Sequence, residues 1–297
     1  MKKIAVNFFT YLKKPQEKFT ENLSAKQKWK IFGTIYLIDF AFALVAATFL
    51  HIIDAYVIEL NEVESFDTFN EMNALTLLFL VVLLVPLIEE FFFRLYLNYD
   101  RNFLFIVIDS ISNNKAKLFW NKHFKFFFYF SAFIFGLVHI TNFSNNSLLF
   151  YALTPFIISS QFFGGLTIGF LRLKLGFFWG FLQHALHNFI IFFGVIFFFN
   201  NTIISEVENK NFSLQIETLE LRLNKPIKLA TYKTGDRIDS IIGTNTTVKH
   251  LAEILDSKDS VLFKKKKLIN IKFINKTDSE EPKSIILTEL LKEIKSF

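Results

Sequence analysis

Five stretches of this chain, near 31–53, 74–98, 124–142, 148–172 and 176–199, are apolar over roughly the 20 residues a helix needs to cross a bilayer. A soluble domain has no use for five of them. With 52% hydrophobic residues, 42 phenylalanines and a mean hydropathy of +0.36, the chain reads as an integral membrane protein. The start is lysine-rich and polar, and the first long apolar run begins only at Ile31, so 31–53 is expected to be a retained span rather than a cleaved signal. Cysteine is absent, which removes disulfide and thiolate chemistry. The net charge of +6 sits beside the spans and in the tail, with no base-reading motif, so nucleic acid is not an expected partner.

Charge orients the spans. Residues 1–30 hold eight lysines, whereas Asp54–Asn73 holds six acids and neither Lys nor Arg. The 99–125 connection carries Arg101, Lys115, Lys117, Lys122 and Lys125, and Arg172 with Lys174 marks another basic turn. The positive-inside rule places the N-terminus and both of these basic connections in the cytoplasm. Four regions follow: a basic segment 1–30, a first span with its acidic loop 31–73, a polytopic core 74–199, and a polar tail 200–297. In the tail, 212–216, 219–223 and 268–273 alternate like strands, while 248–255 and 285–294 have helical spacing. The expected fold is an all-α membrane protein of about five spans, with a small C-terminal α+β or partly disordered domain.

The second span contains Glu89, Glu90 and Arg94 in otherwise apolar sequence. Charges at membrane depth cost about 2.5–3.5 kcal/mol each on insertion scales and mark functional sites. Positions four apart share a helical face, so Glu90 and Arg94 are expected to pair. Glu89, about 100° away, is then left without a cation on its own helix and suits a general base. A structural charge cluster is the plain alternative.

Histidines weigh against that alternative. His139, His184 and His187 all lie in apolar spans, and Asn188 shares a face with His184. Counted at 1.5 Å per residue from Asp100, Lys125 and Lys174, Glu89, His139 and Asn188 lie about 16, 21 and 21 Å from one membrane edge, and His184 about 15 Å. Three helices thus bring Glu, His, His and Asn to one layer. Asp39, about 13 Å deep in the first span, is expected to neutralise Arg94; a protonated Asp39 bonded to a backbone carbonyl is the alternative.

Glu89-Glu90-x-x-x-Arg94, Phe135-x-x-x-His139 and His184-x-x-x-Asn188, in that order on successive apolar segments, resemble the CAAX-protease and bacteriocin-processing family of intramembrane glutamic endopeptidases. The resemblance covers roughly 74–199 and extends to Phe93-Arg94-x-Tyr96-Leu97 and Gly164-Gly165-Leu166-x-x-Gly169. It implies peptide-bond hydrolysis near a substrate terminus by water that Glu89 and His139 hold and deprotonate. His184 and Asn188 would stabilise the oxyanion, Glu90 and Arg94 would support the site, and Phe135 would pack below His139. No cofactor and no metal are implied. The partners are the lipid bilayer, of a bacterial cell on this reading, and a peptide or lipidated protein substrate. Leu95 stands where many members carry glycine, which bears on local packing. His187 matches no catalytic position and defaults to a structural role.

Other functions remain open at this stage. One Glu and two His can also ligand zinc, although no His-Glu-x-x-His is present. A non-catalytic immunity or scaffold protein could keep the same architecture. A transporter would also use intramembrane acids, but no repeated halves are visible.

Overall fold

The computed structural model describes the chain except residues 18–21, 62, 64–71, 73, 113–114, 200–201, 220–226, 258–267, 278–281 and 295–297; the side chains at 74, 195–199 and 292–294 are also outside it. Most of the acidic loop, and the strand expected at 219–223 beyond Leu219, therefore lie outside the described residues. The chain forms two compact units, Met1–Val63 with Phe79–Phe189, and Glu64–Leu78 with Ile190–Phe297.

The helical part runs α1 (Lys2–Lys13), α2 (Ala25–Tyr56), α3 (Ala74–Leu78), a π-helical segment Phe79–Leu84, α4 (Val85–Arg94), α5 (Phe103–Ser112), α6 (Lys115–Val138), α7 (Leu148–Ile157), α8 (Ser159–Leu175) and α9 (Phe177–Phe199). Among the described residues, four helices are long and apolar enough to cross a membrane: Ala25–Tyr56, Leu75–Leu97, Lys115–Asn142 and Leu148–Leu175. The protein is an integral membrane protein. The expected count of five is not reached on these criteria, although α9 coincides with the fifth expected span and is 23 residues long.

Two connections hold more structure than their composition suggests. The basic start contains α1, whose Phe8 and Tyr11 are buried against Phe170, and Tyr11 also meets Phe128. Glu17 then accepts from Tyr99 N at 2.8 Å and Trp120 Nε1 at 2.9 Å, tying this segment to the end of the second span and to α6. The 99–125 connection is not a loop: it holds α5 and the first turns of α6. α2 opens with a capping box, in which Ser24 Oγ accepts from Gln27 N and Gln27 Oε1 from Ser24 N.

Small residues set how closely α6 and α8 approach. A Cβ on Gly165 would lie 3.0 Å from the Cα of Ala132, and one on Gly136 would lie 3.2 Å from the backbone of Phe162. Without a hydrophobic drive between helices in lipid, such contact through small residues holds spans together. Aromatic side chains fill the space around it, with Trp120, Phe128 and Phe170 buried.

The second unit contains β1 (Thr202–Glu208), β2 (Phe212–Leu219), β3 (Lys228–Thr234), β4 (Arg237–Thr247), α10 (Val248–Ile254), β5 (Leu268–Asn275) and α11 (Pro282–Ile294). The strands form one antiparallel sheet in the order β1-β2-β5-β4-β3. Gly235, at φ +63°, turns the β3–β4 hairpin. Inward residues alternate along the strands, as at Leu214 and Ile216, and pack on Leu251, Ile286 and Leu290 of the two helices. The strands expected at 212–216 and 268–273, and the helices expected at 248–255 and 285–294, are present.

Candidate active site

Proline and a π-turn shape the approach to the glutamates. Pro86 follows Val81 by five residues, the hydrogen-bond spacing of the π segment, and has no N–H to give it. The Val81 carbonyl is served instead from α9, where Asn188 Nδ2 donates to it at 2.9 Å. At the other end of α4, three terminal carbonyls need donors. Ser131 Oγ supplies Phe93 at 2.5 Å, while Arg172 supplies Arg94 through Nε at 2.7 Å and Leu95 through Nη2 at 3.4 Å. Arg172 is therefore a buried helix-capping cation rather than only a marker of a basic turn. At Leu95, where the family often has glycine, the chain tightens into a 3-10 turn.

Between these two anchors lie Glu89 and Glu90. Glu90 and Arg94 are both fully buried and pair as the helical spacing predicts, with Arg94 Nη1 donating to Glu90 Oε1 at 2.6 Å. The guanidinium also sits 3.7 Å from the centre of the Phe135 ring. Among the described residues, Glu90 Oε2 and Arg94 Nε and Nη2 have no hydrogen-bond partner.

His184 changes the expected picture. Its Nδ1 is 3.1 Å from Glu90 Oε1 and its Nε2 is 3.3 Å from Glu89 Oε2. Glu89 thus does have a neighbouring donor, from α9; reasoning within its own helix could not see it. An imidazole has one N–H when neutral and two when protonated. Holding two carboxylates therefore calls for an imidazolium, or for a proton on one glutamate. Glu89 keeps 22% of its side chain exposed, whereas Glu90 keeps none.

His139 opens the 3-10 turn that follows α6 and is held differently. Its Nδ1 lies 2.7 Å from the Phe135 carbonyl, which can only accept, so Nδ1 carries a hydrogen and, in the neutral ring, Nε2 keeps its lone pair. Glu89, His184 and Arg94 are within electrostatic reach of it. Phe135 lies beneath the group, edge-on to both His139 (4.9 Å) and His184 (5.5 Å). Glu89, Glu90, Arg94, Phe135, His139 and His184 are thus brought together, while Asn188 reaches the same helix at Val81.

The expected pairing of Asp39 with Arg94 does not occur. Asp39 accepts from Thr167 Oγ1 at 3.1 Å and lies 3.2 Å from His187 Nδ1, while Gln183 Nε2 donates to Thr167 Oγ1 at 2.7 Å. Depth from the membrane edge located Asp39 but carried no information on helix rotation, which turns it towards α8 and α9. Thr167 and Gln183 escaped the sequence reading because neutral polar residues are unremarkable in spans; their proximity to Gly165 and His184 was the available signal. Among the described residues, no three His, Asp or Glu side chains are grouped to hold a metal ion.

No curated protein and no solved structure matches the chain. A family model does match, over residues 71–190, and its description is Type II CAAX prenyl endopeptidase Rce1-like. That segment contains every residue of the cluster around Glu89. Residues 71–190 are thus similar to this peptidase family.

Proposed function

We propose that the protein is an intramembrane endopeptidase that cleaves near a substrate terminus, using Glu89 to activate water. The observation that carries this reading is the asymmetry of the two adjacent glutamates. Glu90 is sealed by Arg94, whereas Glu89 is partly open, with His184 beside it. A water between Glu89 and the free Nε2 of His139 loses its proton to Glu89 as its oxygen attacks the scissile carbonyl. Neutral Glu89 then accepts more weakly from His184, releasing the Nε2–H towards the oxyanion. The second amide hydrogen of Asn188 is the other donor, each worth a few kcal/mol. Collapse of the tetrahedral intermediate returns the proton to the leaving amine. Zinc chemistry is a poorer fit, because both nitrogens of His184 are committed to carboxylates. The N-terminal segment is assigned to the cytoplasmic side of a cell membrane by its lysines.

The test compares peptide termini in native membranes carrying wild-type protein or Glu89→Gln at matched levels. Termini that vanish in the variant and persist in the wild type under a metal chelator support the reading. Identical termini with both proteins inserted would overturn it in favour of a scaffold, and chelator-sensitive termini would overturn the glutamate mechanism.

A further inference from the structure

A groove of about 710 Å³ runs along α6, and neither Glu89 nor Glu90 lines it. Lys122, Phe126, Phe130 and Phe133 line it at spacings of four, four and three, so they form one stripe, and Phe162 of α8 closes one side. Phe135 and His139 lie roughly 180–220° around the same helix from Phe126, so this is not the reaction site. The three phenylalanines of the stripe are 61%, 45% and 46% exposed.

Aromatic exposure alone is what any lipid-facing helix shows. The distribution of charge is what distinguishes this groove. Lys122, His123 and Lys125 stand at one end, no carboxylate among the described residues lines it, and beyond Tyr129 the lining is phenylalanine. Lys125 Nζ donates to the Lys13 carbonyl at 3.1 Å, which brings the lysine-ended terminus of α1 to the same place. From Lys122 to Phe133 the stripe rises about 16 Å. That is close to half of the roughly 30 Å hydrocarbon thickness, the depth of a single leaflet. Basic pockets between spans at the cytoplasmic edge recognise anionic headgroups.

We propose that this groove binds an anionic glycerophospholipid, its phosphate between Lys122 and Lys125 and an acyl chain along Phe126, Phe130 and Phe133. A zwitterionic lipid fills the same apolar volume but brings a cation to the lysine end. The site is independent of whether Glu89 hydrolyses anything.

The experiment is native mass spectrometry of the purified full-length protein with phosphatidylglycerol or phosphatidylcholine of identical chains. Wild type is expected to retain phosphatidylglycerol about tenfold better. Lys122→Gln with Lys125→Gln should remove most of that preference, and Lys115→Gln, on the same helix outside the groove, should leave it intact. Because Lys125 also contacts α1, Lys122→Gln alone serves as a second variant and should lower the preference severalfold. Equal retention of both lipids by wild type, or an unchanged preference in the double variant, would overturn the proposal. So would displacement of phosphatidylglycerol by an isoprenoid carboxylate at equal concentration, which would make the groove a substrate track.

Discussion

Two polar clusters lie within the helical unit, and they are built on different terms. Around Glu89, four side chains that can bear charge converge with a histidine nitrogen, three buried polar atoms lack hydrogen-bond partners among the described residues, and one carboxylate remains open. Around Asp39, one buried acid is matched by one histidine and a hydroxyl, and Gln183, whose Oε1 alone lacks a partner among the described atoms of this group, extends the chain of bonds from α9 to α8. Both clusters use α9, three residues apart at His184 and His187. The first concentrates charge where a reaction can use it. The second spends its polar groups on fixing α2, α8 and α9 against one another. Being intramembrane and ionisable does not by itself make a residue catalytic; incomplete satisfaction beside an accessible acid is the better indication.

The largest way to break this contrast is to unseal Glu90. Arg94→Met leaves a fully buried carboxylate with His184 alone, and should cost about 3–5 kcal/mol of stability in thermal unfolding of the purified protein. Glu90→Leu combined with Arg94→Met should recover much of that loss. If Arg94→Met is neutral, the pair is not what holds α4.

Asn188→Ala addresses the proposed reaction site from α9. It removes both the donor to Val81 and the proposed oxyanion donor, and cleavage of an identified substrate should slow by about 100-fold or more. Loss of stability without a change in turnover would reassign Asn188 to helix repair alone. A third test concerns the scaffold: Gly165→Ala pushes a methyl into the Ala132 backbone and should destabilise by about 1–3 kcal/mol, read as a lower melting temperature. A neutral result would show that α6 and α8 separate freely.

The smallest effect belongs to the strand-bearing unit. Hydrogen bonds from Lys283 to Asp256, Lys276 to Glu208 and Thr234 to Asp239 hold these carboxyls below their ordinary range. A depressed carboxyl contributes stability above its unfolded value and loses it as protons bind. The sheet signal in circular dichroism should therefore melt slightly earlier as pH falls below about 4. Lys283→Gln should flatten that dependence.

Much of the site was legible because helical spacing is a local rule. Glu90 and Arg94 needed only the i,i+4 relation, and the three family motifs needed only order and spacing. The arrangement across helices was not legible. His184 meets both glutamates because α9 is rotated to present it there, and Asp39 meets His187 for the same reason; neither rotation leaves a trace in one segment's periodicity. The π-turn before α4 was equally silent, since Pro86 alone permits several local geometries. α1 was missed because its lysines mask Phe8 and Tyr11, whose burial depends on partners more than a hundred residues away. In the tail, strict alternation made the β2 and β5 strands readable, while the sheet order required the fold.

The most direct measurement sets the two clusters against each other. Cleavage of one identified substrate is followed in membranes carrying equal amounts of wild type, Glu89→Gln or Asp39→Asn. The account predicts no cleavage above background for Glu89→Gln, a loss of roughly 10²–10⁴-fold, and a rate within about tenfold of wild type for Asp39→Asn, whose bonds across helices are worth about 1 kcal/mol. Substantial cleavage by Glu89→Gln, or abolition by Asp39→Asn in a stably folded protein, would contradict it.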